Sequence, residues 1–218
     1  MPAPPHNSAS RRVLLAGALA LSFAGRAWPA PAARSRIVTI LGDSITAGYG
    51  LAAAAALPAR LQAALAAIGA PALVRGAGVS GDTTAGGLAR LDFSVQGDTN
   101  VCVVALGGND LLQGLDPRAT HANLTGIVAR LQARGIGVVL TGIVAPAAIG
   151  AAYARDFNAV FRAVARARRV AFYPDLLAGV EARGALNQRD GIHPNAAGVK
   201  IIAARLAPVV AGALKARR

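Results

Sequence analysis

Four short segments with the residue types of an acyl-transfer site stand in order along the 218-residue chain. They are Gly42-Asp43-Ser44, Ser80-Gly81-Asp82-Thr83, Gly107-Gly108-Asn109-Asp110 and Asp190-Gly191-Ile192-His193. Together they offer a hydroxyl nucleophile, an imidazole base, a carboxylate to orient that base, and donors for an oxyanion. Ser44 follows an apolar run and precedes helix-compatible sequence. Alone it would read as a helix cap. At a helix N-terminus it also lies beside outward-pointing N–H groups that can meet a developing negative charge.

The histidines narrow the choice of base. His6 lies in a leader-like N-terminus, and His121 sits in a polar stretch opening a helix, where it reads as a surface residue. His193 remains. Asp190 stands three residues earlier across a turn containing Gly191, close enough to bond a ring nitrogen and hold one tautomer. The same residues also suit a turn capped by Asp190 before a last helix opened by Asn195, and the two readings are compatible. Asn109 follows two glycines at a strand end, so its amide can enter a cleft, and Gly81 can present a bare N–H from a turn. Asp43, Asp82 and Asp110 read as carboxylates that order their loops. No His/Cys cluster with metal-ligand spacing accompanies them, so neither metal nor other cofactor is expected. A phosphate cradle of the kind that ends in a Lys-Ser/Thr pair is disfavoured, because no such pair follows Ser44.

Regular elements must position these segments. Continuous apolar runs predict strands at Ile37–Leu41, Ala72–Ala77, Val101–Leu106, Gly137–Ile143 and Val170–Tyr173. Helical periodicity falls between them, at Leu57–Ile68, Thr83–Leu91, Pro117–Arg134, Tyr153–Arg169 and Asn195–Lys215. Alternation of buried strands with helices predicts an α/β domain, a parallel sheet in a three-layer α/β/α arrangement. Sites in such sheets form beyond the carboxyl ends of the strands. The first three chemical segments follow the first three predicted strands.

Composition sets further bounds. Cys102 is the single cysteine, so no intramolecular disulfide can form, and its apolar neighbours mark it as a buried thiol. Residues 1–32 have the character of an export signal: Arg11-Arg12, an apolar run from Val13 to Ala24, then Ala30-Pro31-Ala32. The run is short for a membrane span, and Ser-Arg-Arg-Val-Leu-Leu is similar to a twin-arginine signal. A mature domain over residues 33–218, exported to the periplasm or secreted, is therefore expected, with no stable membrane span. The formal charge is +13, of which Arg11, Arg12 and Arg26 contribute three, leaving +10 on that domain. Its arginines are scattered through Ala-rich helices without aromatic interleaving, so they read as a solvated surface and no nucleic-acid partner is expected. Arg162, Arg166, Arg168 and Arg169 form the densest basic cluster.

The four segments resemble the blocks of the SGNH (GDSL) hydrolase superfamily. The longer strings GDSITAGYGL, SGDTTAGGLARL, LGGNDLLQGL and DGIHPNAAG are most similar to its thioesterase I / arylesterase / lysophospholipase branch. The likeness spans about residues 36–214. It implies a flavodoxin-like fold without metal, with Ser44 as nucleophile, Asp190 and His193 completing a triad, and Ser44, Gly81 and Asn109 forming the oxyanion hole. Two stretches depart from the pattern: Leu111-Leu112 makes the lip after GGND apolar, and Val144 to Gly150 carries no polar side chain. Both favour an apolar acyl group. The expected activity is hydrolysis of small acyl esters or thioesters, lysophospholipids among them, through an acyl-serine. A carbohydrate O-deacetylase on the same fold and a basic exported binding protein without catalysis are the alternatives.

Overall fold

A computed structural model describes residues 1–2 and 36–216, and the leader-like segment at residues 3–35 lies outside the described residues. The described residues from 36 to 216 belong to one compact unit. Its strands are β1 (Ile37–Gly42), β2 (Leu73–Gly78), β3 (Val101–Ala105), β4 (Gly137–Thr141) and β5 (Ala171–Tyr173). Its helices are α1 (Ser44–Ala47), α2 (Leu57–Ala67), α3 (Thr84–Ala89), α4 (Leu91–Ser94), α5 (Gly108–Leu112), α6 (Pro117–Ala133), α7 (Ala151–Arg168) and α8 (Ala196–Lys215).

All pairings are parallel, in the order β2-β1-β3-β4-β5. That is the doubly wound, flavodoxin-like order, in which the order of strand addition switches from one side of β1 to the other, between β1 and β3. β3 is buried at every position, and β1 is buried after its first residue. Strands covered on both faces have no solvent side to alternate with, which is why they read as unbroken apolar runs. On one side α7 sends Phe157 and Phe161 inward, packed edge to face at 5.5 Å between centroids. Helix α8 is long and apolar enough by composition to cross a membrane, but half of it is buried inside the domain. Val199, Ile202, Leu206 and Val210 recur at helical spacing on its inner face, so its apolar character serves the core.

Three local features set up the cleft. β1 ends at Gly42, which lies beside Gly78 of β2 and Ala105 of β3. A Cβ there would collide with Thr46 Oγ1 and the Ala105 carbonyl, so glycine lets α1 fold back tightly on the sheet. After β3, Gly107 adopts φ +118°, and a Cβ on it would come within 2.8 Å of the Phe161 ring. The chain then enters α5 at once. Asn109 therefore sits in the first turn of a short helix, whereas the sequence suggests a loop following the strand. The stretch Thr83–Leu91, expected as a single helix, is two: Arg90 has φ −99° and ψ +5°, and α4 begins after it. Other predicted elements differ from those observed by a residue or two at their ends.

Candidate active site

Ser44 is the first residue of α1 and lies directly beyond the carboxyl end of β1. Asp43 is the N-cap, and its Oδ1 accepts the Ile45 N–H at 3.1 Å. The Ser44 N–H, at the first helical position, has no intrahelical acceptor to turn to. Its hydroxyl lies 2.9 Å from Nε2 of His193, a residue 149 positions away. His193 Nδ1 in turn lies 2.7 Å from Asp190 Oδ2. With Nδ1 protonated toward the carboxylate, Nε2 carries the lone pair and can take the serine proton.

Asp190 has a second task. Its Oδ1 accepts the N–H groups of Ile192 at 2.9 Å and His193 at 3.0 Å, closing the turn that presents the imidazole. These bonds, first that from the His193 N–H and then that from its ring, hold the carboxyl down at about 2. Asp190 is thus ionised throughout the neutral range, although a third of its side chain is exposed. One side chain thus both closes the turn and meets the imidazole ring.

Gly81 and Asn109 line the same cavity as Ser44 and His193. Asn109 Nδ2 donates one hydrogen to the Asp82 carbonyl at 2.9 Å, and an amide nitrogen has a second to offer. The remaining carboxylates order the frame. Asp110 is buried and accepts from the Thr84 N–H (2.8 Å), Thr84 Oγ1 (2.5 Å) and Thr120 Oγ1 (3.1 Å), tying α5 to α3 and α6. Asp82 pairs with Arg90 at 2.6 Å. Neither arrangement leaves a carboxylate free for general acid or base work. His121 is exposed, as its polar surroundings suggest, and Cys102 is buried with its thiol pushed up to about 12 by desolvation.

Residues 40–201 match the GDSL-like Lipase/Acylhydrolase family. The chain belongs to that family. It is 38% identical over 185 residues to esterase TesA of Pseudomonas aeruginosa PAO1, a match covering 84% of this chain and 90% of the relative. The thioesterase 1/protease 1/lysophospholipase L1 of Escherichia coli K12 is 36% identical, with 75% of this chain and 78% of the relative covered. The crystal structure of AlinE4, an SGNH-hydrolase family esterase, matches with a TM-score of 0.70 at 41% identity, covering 83% of this chain and 97% of that one. A GDSL acylhydrolase is a hydrolase of esters or thioesters, and the thioesterase I / arylesterase resemblance read from the four segments agrees with these relatives.

The acylhydrolase cleft also uses residues that the motifs do not announce. Its cavity, about 390 Å³, is walled by Ile45, Leu111, Leu112, Ile143, Val144, Leu177 and Ile192 around the serine. Leu111, Leu112 and Val144 belong to the stretches that read as apolar in the sequence. Leu177 and Ile192 do not stand out there, because one apolar residue in a loop carries no periodic signal. Tyr49 stacks at a tilt on His193, with centroids 4.7 Å apart. Gln188 fastens the histidine loop to the serine side: its N–H donates to the His193 carbonyl at 2.7 Å and its Nε2 to the carbonyls of Tyr49 (2.8 Å) and Pro194 (3.1 Å). A lone aromatic between Gly48 and Gly50 is a faint hint of the first. Nothing local marks the second, whose partner is 139 residues away.

Asp43 yields a prediction. Burial raises its carboxyl from 3.8 to about 6, against the lowering effect of the Ile45 N–H. A raised acid binds its proton more tightly in the folded state, so its contribution to stability falls as pH rises from about 4 to about 6. The displacement corresponds to ~3 kcal/mol. Asp43→Asn keeps an oxygen for the Ile45 N–H and removes the ionisation. Urea unfolding across pH 4–8 should show the variant gaining stability relative to the parent chain through that window. A parallel pair of pH profiles would contradict the burial argument.

Proposed function

We propose that this acylhydrolase uses Ser44 as nucleophile, His193 as general base and acid, and Asp190 as the anion that holds and compensates the imidazole. The observation that carries the reading is the unbroken relay from Asp190 to His193 to Ser44, with gaps of 2.7 Å and 2.9 Å, at the edge of an apolar cavity. Ser44 Oγ attacks the acyl carbonyl as its proton passes to His193 Nε2. The carbonyl oxygen becomes an oxyanion held by the N–H groups of Ser44 and Gly81 and by the Asn109 amide. Collapse of the tetrahedral adduct expels the alcohol or thiol, which takes the proton from His193. Water, deprotonated by the same imidazole, attacks the acyl-serine and releases the acid.

The walls favour an apolar acyl group of modest length. Burial of acyl methylenes against Leu111, Leu112, Ile143 and Val144 would contribute ~0.8 kcal/mol each. An O-acetyl sugar would meet few polar partners on those walls, which supports the acyl ester reading over the deacetylase. The aligned relay supports catalysis over simple binding. Export remains our reading of residues 1–32.

Ser44→Ala and His193→Ala should each lower kcat by ~10⁴-fold or more, with melting curves unchanged and phosphonate labelling lost from the Ser44 variant. Near-parental turnover in either variant would remove that residue from the relay. On p-nitrophenyl esters, kcat/KM should rise with chain length from acetate to medium-chain acids and exceed that for acetylated sugars; preference for the sugars would reverse the substrate reading. N-terminal sequencing of extracytoplasmic material should begin near Ala33. An intact Met1 confined to a cytoplasmic pool would refute export.

A further inference from the structure

Arg90 stands outside the relay, in the residue between α3 and α4, yet its guanidinium gathers the ends of three segments that bear on it. Nε donates to Asp82 Oδ2 at 2.6 Å. Nη1 donates to the Ala77 carbonyl and to Ser94 Oγ, both at 3.0 Å. Nη2 donates to the Gly42 carbonyl at 2.9 Å. Gly42 ends the strand that delivers Ser44, and Ala77 belongs to the strand that leads to Gly81. Asp82 follows Gly81, and its own carbonyl accepts the Asn109 amide at 2.9 Å. The ion pair is mostly shielded, with 20% of the Arg90 side chain and 14% of the Asp82 side chain exposed.

The geometry has a consequence for the oxyanion donors. No atom lies within 4 Å of where a Cβ on Gly81 would be, so side-chain packing does not aim its N–H. Its direction comes from the backbone on either side, which is held by the Asp82 N–H to Val79 carbonyl bond at 3.1 Å and by the Arg90 clamp on Asp82. The Asn109 amide is likewise referred to the Asp82 carbonyl. A guanidinium with five N–H groups in a fixed plane can hold these acceptors in one mutual arrangement, which an ammonium on a flexible stem cannot.

We propose that Arg90 is a positioning residue for catalysis: it locks the end of β1 to the Asp82 loop and so fixes the Gly81 and Asn109 donors relative to Ser44. The proposal rests on the reading of those two residues as oxyanion donors. Such donors act by being in place before charge develops, so a loosened frame lowers the rate of the chemical step more than it weakens substrate binding.

The test is a double-mutant cycle on the full chain with a short-chain p-nitrophenyl ester, read as kcat and KM beside a melting curve. Arg90→Lys should lower kcat by ~10-fold or more with KM within about twofold, and in an Asn109→Ala background the same change should cost less than about threefold. Asp82→Ala keeps the backbone carbonyl that Asn109 uses and removes the carboxylate that Arg90 grips; it should show the same kcat-weighted loss and the same non-additivity, and it decides the matter should Arg90→Lys not fold. A lowered melting temperature with parental kcat in both variants would reduce Arg90 to a structural tie and overturn the proposal. Equal fold-losses with and without Asn109 would overturn it too, since an effect exerted through the Gly81 and Asn109 donors together must shrink when one of them is removed. Asn109→Ala alone with kcat within about threefold of the parent would instead overturn the oxyanion reading, and the proposal with it.

Discussion

The bare Cα of Gly42 lets the first turn of α1 close directly onto the sheet, and the geometry of the cleft follows from that approach. Flanked by Gly78 and Ala105, Gly42 leaves room for Thr46 above it and offers its carbonyl to the Val79 N–H and to Arg90. Ser44 is two residues further on, so its hydroxyl is placed by the strand and not by a loop. Parallel sheets bring such turns to one edge, and the switch in strand order between β1 and β3 opens the gap into which they project. Asn109, after β3, reaches the same gap from the other side through the tight passage at Gly107.

Four aspartates surround this gap, and their environments separate their tasks. Asp190 is partly exposed but satisfied by two backbone N–H groups and an imidazole, and so it stays an anion at about 2. Asp43 is buried with one backbone donor on its side chain and is pushed to about 6. Asp82 has a guanidinium, and Asp110 has three donors of its own. Identical side chains therefore act as orienting anion, cap, clamp and frame. Hydrogen-bond supply and desolvation decide which, as general electrostatics requires.

The histidine arm is built differently from the serine arm. Regular structure gives way after β5, and the loop carrying Asp190 and His193 is held by the isolated bridge between Asn187 and Pro194, by Gln188, and by Asn195 capping α8. Asn187 adds two bonds from its amide to the carbonyls of Val180 and Arg183. Short polar ties of this kind satisfy a loop that no strand ladder serves. They also explain how a relay across 149 residues can keep hydrogen-bond distance.

Much of this was legible in the amino-acid order. The five buried strands declare themselves as apolar runs because both faces are covered, and the helices by their period. Ser44 and Asn109 stand out as polar residues just past a strand and close behind glycine, Gly81 as the glycine of a turn, and Asp190 and His193 as an acid and an imidazole three residues apart across Gly191. The carboxylates of Asp43, Asp82 and Asp110 could be read as structural, but not what each one holds. The start of α5 at Gly108, the break at Arg90, the stacking of Tyr49 on His193 and the reach of Gln188 were decided by the tertiary structure. Each depends on partners brought from distant parts of the chain, 139 residues away in the case of Gln188 and Tyr49, or on backbone angles set by neighbouring elements. Periodicity and spacing report the environment along the chain. The direction of a single side chain in a loop is set by the acceptors that folding places beside it, and those are absent from any local stretch of sequence.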